Sequence, residues 1–396
     1  MLTSNIVKFF ASNLSANFLI LFRIFRGCDG QARPASKIVL LITALSTASS
    51  VADDVFWGGI SMREGEGASS VYPITSGLLK SDISGTEIKK QLIQHLLKNK
   101  ERFTNIDLTV DLADGSAGDR YVLAIALGQE LVVREKIGDA NKLLVSLFFE
   151  MLIVDFEDFK VVSSVPINIE RIDSSSSPFS DEEVSCIIID MMIGEDSQLL
   201  KVIDEKAGLV GIPKSSRSTI KVANVTISER AIEFLPERLQ VGSRYGNQVG
   251  HLFGSLLLSE HRLALLPFSK DASNASMALV FQDGDIVNFD IPDPTFAIDL
   301  HLKGFAKVKS KKSTASEILF IYGAYVDSKV YEPFFKREYF SASEKKGASK
   351  VVPASNPSVD DFSVLSDALK GVMLSTIQKM KSDKNLEKKV ISKCEL

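Results

Sequence analysis

The sequence predicts an α+β protein: two tandem α/β sandwich domains, each a mostly antiparallel meander sheet with helices packed on one face. Three observations predict it. Strand-type apolar alternation in "RYVLAIALGQELVV", from Arg120, returns in "TFAIDLHLKGFAKV", from Thr295. Each meander follows a helical stripe and precedes a capped helix. A shift of about 175 residues superposes the two meanders over roughly forty positions. It pairs Leu127 with Leu302, Val133 with Val308, Lys136 with Lys311, Glu157 with Glu332 and Phe159 with Phe334.

In chain order, residues 1–52 read as a leader and secretory signal. Arg33 and Lys37 precede an apolar run at 38–45, and Ser50-Val51-Ala52 supplies small residues for cleavage before Asp53. The run is too short to span about 30 Å of hydrocarbon. Upstream, "NFLILFRIFR" has two readings. It is surplus leader before a true start near residue 35, or an amphipathic surface helix with Arg23 and Arg26 at the interface. The second reading gives peripheral membrane contact through residues 7–26. Cys28, in "FRGC", lacks a small-residue lipobox.

Residues 53–80 form an N-terminal segment. Its Trp57, beside Gly58 and Gly59, is a contact-loop residue or an aromatic packing the first strand onto the domain. The first α+β domain is assigned to 81–205. It opens on a helix with Ile88, Leu92, Ile93, Leu96 and Leu97 in one stripe. "NIDLTVDL" is a short strand, and 111–119 has turn chemistry. Tyr121, Leu123, Ile125 and Leu127 share a strand face. "KLLVSLFFEMLIVD", apolar on both faces, is a central strand. "KVVSSVPINIERI" has Pro166 at an edge or bulge. Ser180 and Glu183 make a capping box for the helix "VSCIIIDMMIG".

Residues 206–240 are connecting strands, too apolar for a loose linker, that dock one half against the other. The second domain is assigned to 241–381. Val249, Leu252, Phe253, Leu256 and Leu257 stripe its first helix, and "LALLPF" is a short strand with a proline stop. An insertion precedes the second meander, where Phe296, Ile298, Leu300 and Leu302 face inward and Asp299, His301 and Lys303 outward. Ser358 to Asp361 repeats the capping box. Phe362, Leu365, Leu369, Val372 and Ile377 stripe the last helix. The lysine-rich tail, 382–396, is expected to fray.

Composition narrows the class. Of 396 residues 45% are apolar and 24% charged, which are globular values. A net charge of -4 gives no basic field for nucleic acid. Three cysteines make no C-x-x-C pair and no disulfide framework. Cys186 and Cys394 could pair in an oxidising compartment; the expectation is a buried thiol in a helix for Cys186 and a free thiol on the tail for Cys394.

The histidines offer little chemistry. His95 is a partly exposed helical residue. His251 and His261 sit at opposite ends of one helix, about 15 Å apart, too far to share a metal. Asp299 and His301, at i, i+2, are the one close histidine–carboxylate pair, capable of metal or acid–base work. Asp155, Glu157 and Asp158 could do acid–base work as paired carboxylates, but a turn between strands accounts for them better. No nucleophile elbow, P-loop, zincin or dinucleotide motif occurs in a usable context. Hence no catalytic, cofactor-binding or metal residue is assigned, and no cofactor is expected. The first sheet's second face, with Val122, Ala124 and Ala126, looks dry and therefore covered, by its twin or by another molecule.

"HLFGSLLLSEHRLALLPF" and, more faintly, "QHLLKNKERFTNIDLTV" carry a resemblance. The order of helix, short strand, meander and capped helix resembles the amino-terminal, anticodon-binding-like domain of the Tol-system periplasmic protein. Related domains are those of the curli secretion-channel lipoprotein and a flagellar T-ring protein. About forty residues of each half match. Propeller repeats, channel-forming hairpins and a lipobox cysteine do not accompany them. The resemblance implies an envelope-associated assembly or binding module without an active site.

The resulting expectation is a bacterial, non-enzymatic scaffold or adaptor, periplasmic or associated with the outer membrane. It binds envelope proteins or copies of itself in a ring, and no nucleic acid. The alternatives are a metal-assisted hydrolase using His301 and Asp299, or a membrane-anchored protein with an uncleaved leader.

Overall fold

The computed structural model describes residues 53–64, 71–109, 120–214, 217–240, 244–268, 275–281 and 286–396. The signal, its cleavage site, the 7–26 membrane contact, Cys28 and the 111–119 turn lie outside the described residues.

In the first half, strand β1 (Asp53–Glu64) is followed by helices α1 (Thr75–Lys80) and α2 (Ser84–Lys98) and strand β2 (Ile106–Thr109). The meander is β3 (Tyr121–Ile137), β4 (Ala140–Asp155) and β5 (Lys160–Ser175), then α3 (Asp181–Ile193) and α4 (Gln198–Lys206). Gly138, at φ 62°, starts the two-residue turn between β3 and β4, a conformation glycine adopts without steric cost. The Ser180 capping box forms, with Glu183 reaching back to the Ser180 N–H.

The second half has β6 (Ile220–Ile227), short helices α5 (Glu229–Ile232) and α6 (Glu237–Gln240), and α7 (Arg244–Glu260). A hairpin, β7 (Ala275–Phe281) and β8 (Ile286–Ile291), comes before the meander β9 (Phe296–Lys309), β10 (Glu317–Glu332) and β11 (Arg337–Pro353). Helix α8 (Asp361–Ser382) and short helical turns to Cys394 end the chain.

Both halves have one topology. In the first, β1 lies parallel between β2 and β3, and the sheet continues through β4 and β5. In the second, β6 lies parallel between Leu265 and β9, and the sheet continues through β10 and β11. The bulges correspond too, at Trp57/Gly59 and Val222/Asn224, and again at Leu127/Gln129 and Tyr325/Val326. Segment 53–80 contains β1, and the connecting segment 206–240 contains β6. These are the strands around which each sheet is ordered. Trp57 is buried in β1, which fits the strand-packing reading and not the contact loop.

The helices α2 and α3 bury Ile88, Leu92, Leu96, Val184 and Ile188 with the Leu123, Ile125, Leu147 and Phe149 side of the first sheet. Each such side chain contributes about 1.5–3 kcal/mol. Leu97, expected in that stripe, is 52% exposed. The opposite face is covered from within. Helix α7 packs on both β5 and β6, and so lies between the two sheets. The β7–β8 hairpin pairs with β1 on one side and with β5 on the other. Under it, Val122, Ala126, Leu152 and Val154 form a second core with Leu279, Phe289 and Ile291. The dry face is therefore sealed by the twin.

Three expectations are corrected. Asp360, not Ser358, caps α8, accepting from the Ser363 N–H at 3.1 Å, because the helix begins at Asp361. The tail is not frayed, since Leu386, Val390 and Ile391 are fully buried. The cysteines exchange roles: Cys186 is exposed and Cys394 buried, both free, because α3 turns Cys186 to solvent while the tail packs inward.

Candidate functional site

Strand β4 carries one acid in its apolar middle, Glu150. The period-two alternation puts it on the sealed face with Phe148 and Leu152. It is 0% exposed, and a buried carboxylate is stable only when paired and hydrogen-bonded. Arg63 of β1 donates Nη1 to its Oε2 at 3.0 Å, and Ser164 of β5 donates to Oε1 at 3.2 Å. Arg63 also donates Nη2 to the Phe268 carbonyl at 3.1 Å. The Tyr72 hydroxyl lies 2.9 Å from the Arg63 carbonyl and 3.1 Å from that of Gly128.

Helix α7 brings His251 to this pair. Its Nδ1 is 3.6 Å from Glu150 Oε1, too long for a hydrogen bond. The ring packs 5.9 Å from Phe148 and 5.6 Å from Phe268, centroid to centroid. A Cβ on Gly128 would lie 3.6 Å from His251 Nε2, so the helix and strand approach closely there. Burial pushes the imidazole down to about 4; Glu150 opposes that shift and Arg63 adds to it. At neutral pH His251 is an uncharged wedge.

The sign of the resulting pH dependence is fixed. The unfolded histidine takes its proton near pH 6.5, whereas the folded one resists until about pH 4. Stability from this residue is complete above pH 6.5 and falls as the pH drops towards 4, by about 3 kcal/mol. Urea midpoints measured from pH 7.5 to 4 should show this loss, and His251→Phe should remove most of it. An unchanged slope in that variant contradicts the assignment.

Two more polar links cross the same seam. Lys142 of β4 pairs with Asp360 and donates to Ser363 Oγ at 2.9 Å. Lys206 of α4 donates to the Pro166 carbonyl and to Ser255 Oγ, each at 2.7 Å, and burial lowers its pKa to about 8. A groove of about 210 Å³ lies along the seam, lined by Phe148, Asn168, Glu170, Leu252, Asp367 and Lys370 among others. Burial holds the Glu170 carboxyl above its usual range, opposed by Lys370 and Lys142. These groups fasten one half to the other.

The residues singled out from the sequence do not converge. His95 Nε2 lies 2.8 Å from Asp204 Oδ1 on α4. His251 is mid-helix rather than terminal, and His261 lies just past the helix end. Asp155 Oδ1 accepts the Glu157 and Asp158 N–H groups at 3.0 and 3.1 Å, and Arg120 Nε donates to its Oδ2 at 2.7 Å. Burial works against that carboxylate, but these partners outweigh it and hold its pKa low. The three acids lock the β4–β5 turn. Asp299 and His301 share the outer face of β9 but are drawn apart. Asp299 accepts from Tyr331 on β10 at 3.3 Å, while His301 Nδ1 lies 2.6 Å from Thr226 Oγ1 on β6.

No protein-family model matches the chain. No curated protein matches it. Among solved structures it is similar to a neuraminyllactose-binding hemagglutinin homologue from Helicobacter pylori. That match has 16% identity and a TM-score of 0.28, and covers 44% of this chain and 88% of that one. It is also similar to a minor lipoprotein from Acinetobacter baumannii, at 14% identity and a TM-score of 0.22, covering 34% of this chain and 91% of that one. A lipoprotein from Neisseria meningitidis matches at 11% identity and a TM-score of 0.21, covering 42% and 99%. At these scores the likenesses decide neither the fold nor the function of this chain. Its class rests on its own geometry: a duplicated α+β protein with the two copies packed on one core.

Proposed function

We propose that the chain is a non-enzymatic scaffold or adaptor of the bacterial envelope, periplasmic or at the inner face of the outer membrane, that binds another envelope protein. The unequal use of the two copies carries the reading. The first copy's second face is sealed by its twin. Among the described residues the corresponding face of the second sheet is open, and β10 presents Ile321 at 47% and Tyr325 at 40% exposure beside Val308 of β9 at 58%. Charged pairs rim them, Lys303 with Asp327 and Lys329 with Glu338. Apolar groups within a polar rim are the usual anatomy of an interaction surface.

A photo-crosslinking residue at Tyr325 or Ile321 in intact cells is expected to capture one protein. The same residue at exposed Glu182, on α3, is expected to capture none. Equal capture at all three sites, or none, removes the proposal. Fractionation tests the location separately, since recovery in the cytosol contradicts it.

A further inference from the structure

The two copies also differ at corresponding turns. In the first copy the β4–β5 turn ends on Phe159, at φ 51°. Strand β8 lies along the adjoining edge, with Lys160 paired to Asp290, and the Asp290 N–H donates to the Phe159 carbonyl at 2.8 Å. Phe289 packs edge-on against Phe156, centroids 5.1 Å apart, and lies 6.4 Å from Phe159. Farther along that edge, the Ser164 N–H donates to the Leu265 carbonyl at 2.8 Å. Turn and edge are both occupied.

In the second copy the β10–β11 turn ends on Lys336, at φ 52°. Its Phe334 and Phe335 are 87% and 69% exposed and pack edge-on against each other, centroids 4.8 Å apart. Strand β11 ends its sheet, so among the described residues no strand pairs its outer edge. That edge is cationic. Arg337, Lys345, Lys346 and Lys350 are exposed along it, whereas Glu338 and Glu344 are matched by Lys329 and Lys379. Lysines on an edge repel a second identical edge and attract an acidic one.

We propose that β11 and the Phe334–Phe335 turn receive an extended acidic segment of a partner protein, added as a further strand. Its aromatic residue meets the phenylalanines as Phe289 meets Phe156. The pattern is set by β8 itself, where an aspartate, Asp290, follows Phe289. Main-chain pairing supplies affinity and the aromatic contact fixes register. The proposal rests on the scaffold reading and names the chemistry of its partner.

The test uses the full chain and a labelled peptide with the sequence of residues 286–293, followed by fluorescence anisotropy. The peptide is expected to bind. Phe289→Ala in the peptide, or Phe334→Ser with Phe335→Ser in the chain, should weaken binding at least about tenfold. Lys345→Glu with Lys350→Glu should weaken it and flatten its salt dependence. All four substituted chain positions are exposed, and unchanged thermal melts confirm folding. Failure of the peptide to bind, or equal binding by the variants, overturns the proposal. So does Phe334-dependent sedimentation with phosphatidylglycerol vesicles, which assigns the turn to a membrane. Phe334-dependent dimerisation assigns it to a second copy and overturns it as well. If the peptide fails while the Tyr325 adduct persists, only this proposal falls.

Discussion

Removing residues 384–396 is expected to melt the second sheet. Leu386, Val390 and Ile391 are 0% exposed, and about 1.5–3 kcal/mol each gives roughly 5–9 kcal/mol, an upper bound. Whole domains are stable by about 5–15 kcal/mol. The backbone is lost as well. The Ala264 N–H donates to the Cys394 carbonyl at 2.6 Å, the Leu396 N–H to Arg262 at 2.9 Å, and the Ser218 N–H to Lys393 at 3.0 Å. The tail therefore holds the Leu263–Leu266 strand against β6. Hydrogen exchange of the truncated chain should show β6 and β9 unprotected, with the urea midpoint sharply lowered. An unfolding free energy within about 1 kcal/mol of the intact chain would mean the tail is dispensable. Thiol labelling of the intact chain offers a second reading. Burial pushes the Cys394 thiol up to about 12, so exposed Cys186 should label at once and Cys394 only on unfolding.

Glu150→Ala is expected to cost about 3–5 kcal/mol, because it leaves the Arg63 guanidinium without its carboxylate in a largely dry site. Ser164 Oγ loses an acceptor at the same time. The paired change Glu150→Leu with Arg63→Met removes both charges and should recover most of the loss. Denaturant unfolding of the three proteins checks this. If the single change costs under about 1 kcal/mol, the ion pair is not what holds the seam.

The sequence made the strands of the meanders legible because each is apolar on a fixed period. From Tyr121 to Leu127 alternation is enough, and the same holds from Phe296 to Leu302. Ser180 and Glu183 could be read because a capping box is local. What escaped is non-local. The parallel pairing of β1 with β3, and of β6 with β9, joins segments with no shared pattern, so the central place of these strands is not legible in the sequence. Glu150 was hidden in the run that made β4 look central, although an acid amid "SLFFEMLIVD" is itself a signal. Its partners lie 87 and 101 residues away in the chain, as Arg63 and His251. Leu386, Val390 and Ile391 have helical spacing, but Lys384, Lys388, Lys389 and Lys393 among them give the tail the pattern of a solvated segment.

The sealing hairpin has a consequence for synthesis. Strands β1 to β5 are complete once residue 175 is made, yet their cover, β7 and β8, is not finished until residue 291. A nascent chain that folds β1 to β5 in that interval is expected to leave Val122, Leu152 and Val154 facing water and the β8-pairing edge of β5 unpaired. Such a species is prone to aggregate. A holding chaperone that binds apolar strands is thus expected to engage this chain early and to release it once Phe289 has emerged and docked.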